Sequence, residues 1–373
     1  MRLGLYLAVV VAATVTVAAS EGRGPRPLLA LQVGSGPIEA PSHLVPVDPA
    51  TLEPMGVGLR LPGWPFGFEA AWSPTGDAVA VVPKPDESTE RLHLVDAATL
   101  RLRGRVALGG NDVCALGWPA QRTILALAGE HGCYNGQRRL LALRIGPVAK
   151  RIVSRVAVPV DWSVDAVATV PGGVAAVVRN TLVVFTIGGV RSAKLPFASA
   201  AAAIVSGTRG RIFVAGFDGS VATWTLDGRV AVHRWRSTAA VSKGNTPTVS
   251  AAWLGGETLA IGRGRLRGPR NLPLGARLVD TRTWRSRTLD ASALGVARAG
   301  DRVVAYGRDG LRLSTRDGQL VLRALRGADI RFVRVRGRYV YAVEEASADV
   351  VDLLSGRETR GADSNIVYGL LLP

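Results

Sequence analysis

The chain has 373 residues, 47 % of them hydrophobic, with 44 glycines and a formal net charge of +17. The apolar share excludes a disordered chain, and glycines that recur at turns instead of every third residue exclude a collagen-like one. Of the 46 basic residues only Lys84, Lys150, Lys194 and Lys243 are lysines. An arginine excess in a chain rich in Ala, Gly and Val looks like genome-wide base composition, so a solvated basic surface or attraction to an anionic envelope component is expected before nucleic acid.

Arg2 precedes an uncharged, mostly apolar run from Leu3 to Ala19, and small residues at Val17-Ala18-Ala19-Ser20 suit a signal peptidase. Residues 1–20 therefore read as a secretory signal peptide. A retained anchor is the alternative, although the run is short for a membrane span. Residues 21–27 form a flexible leader and residues 28–373 one domain, which is expected to be secreted or extracytoplasmic and monomeric. The two cysteines, Cys114 and Cys133, then suggest one disulfide, clipping a hairpin loop onto its own sheet; one buried and one exposed thiol is the alternative. No C-x-x-C motif supports redox catalysis.

After the leader, Leu28 to Val33, His43 to Val47 and a weaker Met55 to Leu61 are strand candidates. The stretch from Phe68 to Arg105 then holds four short strands, the last two joined by an Asp-x-x-Thr turn whose side chains can bond their own backbone. The turn recurs: VDPATLE ends at Glu53, VDAATLR at Arg101, VDTRTWR at Arg285 and VDLLSGR at Arg357. WTLDGRV and STRDGQL place an Asp-Gly turn in the same slot. Further units of four strands follow from Val113, Val164, Ala201, Val249, Leu294 and Ile330. Ile366 to Leu372 is left over as a single apolar strand, complementary to the three strands at the N-terminus.

From Asp48 to Asp352 the unit repeats about every 43 residues, a spacing that fits the blades of a β-propeller. The fold class is thus all-β, a propeller of four-stranded antiparallel blades. Eight blades follow if the N-terminal strands and the C-terminal strand complete one blade together; seven is the alternative if the N-terminal strands are an extension. Closure would hide sheet edges that an open arc leaves bare.

Residues 68–82 (FEAAWSPTGDAVAVV) resemble the W-S-P-x-G pattern of TolB-like and WD40-like propellers, and the strand-VDxxT pattern resembles YVTN-type surface-layer propellers of bacteria. The resemblance implies architecture and leaves activity open, because propellers host unrelated functions. The G-H and W-D dipeptides of WD40 repeats, the A-x-D-x-x-x-G-x-x-x-W repeats of quinone-dependent dehydrogenases and a G-x-S-x-G elbow are all missing from the chain.

No catalytic, cofactor-binding or metal-binding set can be nominated. His43, His93, His131 and His233 fall in different units, without H-x-x-x-H spacing. Asp48, Asp96, Asp280 and Asp352 recur as one turn position, which points to structural capping and not to an active site. Trp72, Trp118 and Trp253 share one phase and are expected to pack between sheets; a stacking platform for a ligand is the alternative. The segment 262–275 (GRGRLRGPRNLPLG) enlarges one hairpin and carries Arg263, Arg265, Arg267 and Arg270, whose guanidinium forks suit phosphate or carboxylate. A solvated, unstructured basic loop is the plain reading of it. With 83–91 and 130–137 it occupies the same slot of three units, on one side of the disc. The expected function is a non-enzymatic exported scaffold that binds protein or an anionic envelope polymer through these loops. A hydrolase or lyase with an axial site is the alternative.

Overall fold

The computed structural model describes residues 27–32, 42–62, 64–84, 91–129, 133, 139–159, 164–195, 201–225, 230–234, 246–267, 270–345 and 347–372. The expected signal peptide, most of the leader, His131, and most of the loops at 83–91 and 130–137 lie outside them, as does the WTLDGRV turn itself.

Each period of the sequence becomes one four-stranded antiparallel sheet, and there are eight. Second strands are apolar almost throughout because both of their faces are covered. Leu28–Gln32 shows the alternation. Leu29 and Leu31 pack toward the following sheet, whereas Leu28 and Ala30 pack toward the preceding one. Fourth strands, such as Leu102–Ala107, are mostly exposed and carry arginines.

Numbering the blades from the N-terminal strands, each apolar cluster joins two adjacent blades: 1 with 2, 2 with 3, 3 with 4 and 4 with 5. The series continues with 5 and 6, 6 and 7, 7 and 8, and finally 8 with 1. A ring of eight blades follows, and the seven-blade alternative falls. Tight spacing comes from small side chains: the cluster between blades 6 and 7 is built largely of Ala252, Ala260, Ala276, Ala293 and Ala305.

Blade 1 is made from both ends of the chain, in the order Leu59–Leu61, Ser42–Val47, Leu28–Gln32 and Leu370–Leu371. Leu29 and Ala30 pair with Leu371 and Leu370, and Leu31 N–H donates to Gly369 O at 2.8 Å. Flanking blades hold the joint: Trp72 Nε1 donates to Leu371 O at 3.2 Å from one side, and Arg334 donates to Leu370 O at 2.9 Å from the other.

The expected strand at Ile366 to Leu372 is broken. Residues 366–372 are not a continuous strand, because Ser364–Tyr368 forms a short helix and only Leu370–Leu371 is strand. Asp363 caps the helix by accepting from Asn365 N–H at 2.9 Å. The chain must cross from the outer strand of blade 8 to the inner position of blade 1 at this point. The helix makes that passage while burying Ile366 and Val367 against both blades.

The recurring Asp closes the turn between third and fourth strands. Asp48 Oδ1 accepts from Ala50 N–H and Thr51 N–H at 2.7 and 3.0 Å, and Asp96 and Asp280 repeat both bonds. Asp352 accepts from Leu354 N–H and from the Ser355 hydroxyl. Four residues after the Asp, the backbone turns left-handed at Leu52, Leu100 and Trp284, and Gly356 fills that place in blade 8. First and third strands run the same way, so their turns share a face. In blade 2 Arg103 bonds both Asp77, from the W-S-P-x-G turn, and Asp96. Hydroxyls of Thr75 and Ser73 together with Arg103 hold the Asp77 carboxyl well below the usual carboxylate range. Arg103, aided by Thr99, brings Asp96 down to about 2.

Cys114 and Cys133 form the expected disulfide, with Cα atoms 5.4 Å apart. Asp112 accepts from Cys133 N–H at 2.9 Å, so the loop is tied to the inner strand of blade 3 by the disulfide and by this hydrogen bond.

Trp72→Phe removes the Leu371 carbonyl's partner from blade 2 and should lower stability by about 1–2 kcal/mol in urea titration; an unchanged midpoint would show the closure bond to be idle. Cys114→Ala/Cys133→Ala opens a loop of sequence separation 19 and should cost about 3 kcal/mol, measured in the same titration under non-reducing conditions.

Candidate functional site: the long hairpin and the arginine-lined rim

On the face opposite the Asp turns, blade 6 extends its second and third strands into a hairpin, Thr258–Arg267 and Arg270–Asp280. The segment read as an unstructured loop is therefore a paired ladder, with Arg263 opposite Gly275 and Arg265 opposite Leu272. Its sequence alternates Gly-Arg-Gly-Arg, the period of a strand. The glycines face blade 7, where a Cβ on Gly262 would strike the Gly295 backbone and one on Gly264 would strike Leu294. Leu266, farther out, packs on the cluster that joins blades 7 and 8. The hairpin thus leans across its neighbour and is braced there.

Arg263 and Arg265 face the other way. Arg263 is partly buried and donates to Phe217 O at 3.1 Å, and Arg265 lies over the Phe217 ring at 5.6 Å. Burial pulls Arg263 below its ordinary pKa, and Arg277 nearby adds to this while Asp218 opposes it. Register places Arg267 and Arg270 opposite each other at the end of the hairpin. The four expected arginines accordingly divide: two are packed against blade 5 and two lie at the tip.

The same face carries a cavity of about 280 Å³ at the rim between blades 6 and 7, lined by Arg312, Arg323, Arg326, Asp290, Asp309 and the glycines at 307, 310 and 327. Arg312 and Arg323 are direct cross-strand partners on the third and fourth strands of blade 7. Sequence reading missed this group, because it lies in an ordinary blade; the usable signal was the Asp317-Gly318 turn, whose register sets the two arginines side by side.

A second cavity of about 280 Å³ lies between Trp72, Trp118, Thr169, Gly172 and Leu372, where inner strands end. Trp72 and Trp253 are buried, as their phase implied, and Trp253 stacks on Phe213 with ring centroids 5.2 Å apart. Trp118 packs against the cluster between blades 2 and 3.

Two ionisable groups on the inner strands are tied within the fold. Asp165 accepts from Arg179 N–H at 2.6 Å and is pushed up by burial, while Arg334 is held down by burial as it bonds the C-terminal carbonyls. Among the described residues no group of three or more His, Cys, Asp or Glu side chains could hold a metal ion. His93 is buried in the third strand of blade 2, away from the axis, and His233 stacks on Trp284 at 3.4 Å.

This architecture defines the class of protein: an eight-bladed β-propeller, as the WD40-like and TolB-like resemblance implied. Among solved structures, the chain is similar to dihydro-heme d1 dehydrogenase NirN at 15 % identity and a TM-score of 0.59, with 92 % of this chain and 75 % of that one covered. It is similar to the periplasmic gluconolactonase PpgL of Pseudomonas aeruginosa at 12 % identity and a TM-score of 0.53, covering 90 % and 95 %. BamB of Moraxella catarrhalis matches at 10 % identity and a TM-score of 0.51, covering 84 % and 92 %. No protein-family profile and no curated protein matches the chain. At such identities the likeness is one of fold.

Burial, followed by the nearby Arg105 and Arg91, lowers the His93 pKa from 6.5 to about 4. The unfolded chain then binds a proton that the folded one refuses, so this contribution to stability is intact above pH 6.5 and is lost as pH falls toward 4, up to on the order of 3 kcal/mol. Urea titrations of wild type and His93→Leu at about pH 7.5 and pH 5 should show the variant gaining relative to wild type at the lower pH; a constant difference would remove His93 as the cause.

Proposed function

We propose that this protein is an exported, non-enzymatic binding propeller that engages an anionic cell-envelope component with the face bearing the long hairpin. The observation that carries the reading is the braced hairpin itself: Gly262, Gly264 and Leu266 pack on blades 7 and 8, and the ladder they belong to places Arg267 and Arg270 in register at its end. Like charges set directly opposite each other repel, and an anion between them would relieve that repulsion through charge-assisted hydrogen bonds.

Export is supported by the N-terminal sequence and by the disulfide, which an oxidising compartment sustains. Among the described residues no helix is long and apolar enough to cross a membrane. The Asp residues that might suggest chemistry are engaged in turn hydrogen bonds. What remains for recognition is the basic face.

The test is retention of the full mature chain on an immobilised anionic polysaccharide across a salt series. Charge reversal at Arg267 and Arg270 should weaken retention by roughly tenfold at low salt. Charge reversal at Arg101, an exposed residue of the Asp-turn face, should change it far less. Equal losses from the two faces would indicate net charge alone and reject the reading, and selective capture of a protein ligand by the hairpin face would replace the polymer with a protein partner.

A further inference from the structure

The rim cavity between blades 6 and 7 combines two opposed chemistries in one small space. Arg312 is partly buried at its back, with a solvent-inaccessible Nε that has no hydrogen-bond partner. Arg323 stands directly across the ladder from it, and Arg326 lies at the exposed lip. Among the described residues none of these three guanidiniums is in an ion pair. Three cations converge, although two of them are cross-strand neighbours whose repulsion costs stability unless something negative lies between.

Two carboxylates line the same cavity. Asp290 uses Oδ1 to accept from Ser292 N–H and Oγ, both at 2.8 Å, which leaves Oδ2 free of those bonds. Asp309 is exposed in the hairpin turn between Gly307 and Gly310. Gly310 has φ +87°, and a Cβ there would collide with the carbonyls of Ala324 and Leu325. The turn is thus pressed against the outer strand, and this fixes Asp309 relative to Arg312 and Arg323.

We propose that this cavity is a binding site for a small hydroxylated anion, with its carboxylate or phosphate on Arg312, Arg323 and Arg326 and its hydroxyls donating to Asp290 and Asp309. Guanidinium forks bind planar carboxylate and phosphate oxygens in pairs. Two carboxylates lining the same cavity repel a second negative charge and accept hydroxyl hydrogens, so a compact polyanion is disfavoured and a molecule with one charged and one hydroxylated end is selected. At about 280 Å³ the space is below the usual range of sites for drug-sized ligands. The site is independent of the hairpin tip: its failure leaves the polymer reading untouched, and the reverse holds.

Isothermal titration of the full mature chain with glucuronate, glucose 6-phosphate and glucose tests the site. At least one of the two anions should bind, and which one binds tells carboxylate from phosphate; glucose should give no saturable signal. Arg323→Gln, at the exposed lip, and Arg312→Gln should each weaken the anion by roughly tenfold, with Asp309→Asn weakening it less. A thermal melt of each variant checks folding, and Arg323→Gln, which removes no buried group, keeps the test decisive if Arg312→Gln unfolds. Saturable binding of neither anion up to about 10 mM, binding that Arg323→Gln leaves unchanged, or equal binding of glucose would overturn the proposal.

Discussion

Two paired residues hold the ring shut. Leu370 and Leu371 supply the inner strand of a blade whose other three strands come from the opposite end of the chain. Every other blade is a local sequence of four strands and could form its hydrogen bonds without the rest of the molecule. Blade 1 cannot, because without this strand Leu28–Gln32 would have one unpaired ladder edge. The two flanking blades reinforce the joint through Trp72 and Arg334, each donating to a carbonyl of the short strand. Closure lets each blade pack on two neighbours, and hence lets second strands be apolar on both faces.

A closed ring also separates tasks between the two faces of the disc. The first-to-second and third-to-fourth turns are short and internally bonded, with Asp carboxylates used as backbone caps. Hairpins and crossovers on the other face are free to lengthen, and the long hairpin of blade 6 and the rim cavity of blade 7 both lie there. The hairpin is braced because its glycines let it lie on the next blade. Arg263 and Arg265 are therefore held against Phe217 and are not carried on a free loop.

The repeat was legible because one turn chemistry returns at a nearly fixed interval. The Asp-x-x-Thr signal depends only on local backbone bonds, so it survives translation from sequence to structure unchanged. Closure was legible for a related reason: three strands at one end and one at the other are complementary by count. The helix at Ser364–Tyr368 was not, since its apolar pair Ile366 and Val367 reads equally as strand when the run is so short. The hairpin was misjudged because its glycines and arginines resemble loop composition, while their strict alternation is strand-like. The Arg312, Arg323 and Arg326 group could not be read from spacing alone; it needs the register across an Asp-Gly turn and the position of a neighbouring blade's Asp290.

The two-ended blade also has a consequence in time. A chain made from its N-terminus produces Leu28–Gln32 long before Leu370–Leu371, so the order of synthesis separates two strands that this blade needs side by side. For nearly the whole length of the chain its ladder stays open on one side, exposed to mispairing with any other strand. The seven local blades can assemble in sequence order, whereas the ring closes only when Leu29 and Ala30 pair with Leu371 and Leu370, far away along the chain. Leu370 and Leu371 therefore act as a completeness check: a chain that lacks them has the four strands of every other blade and no ring.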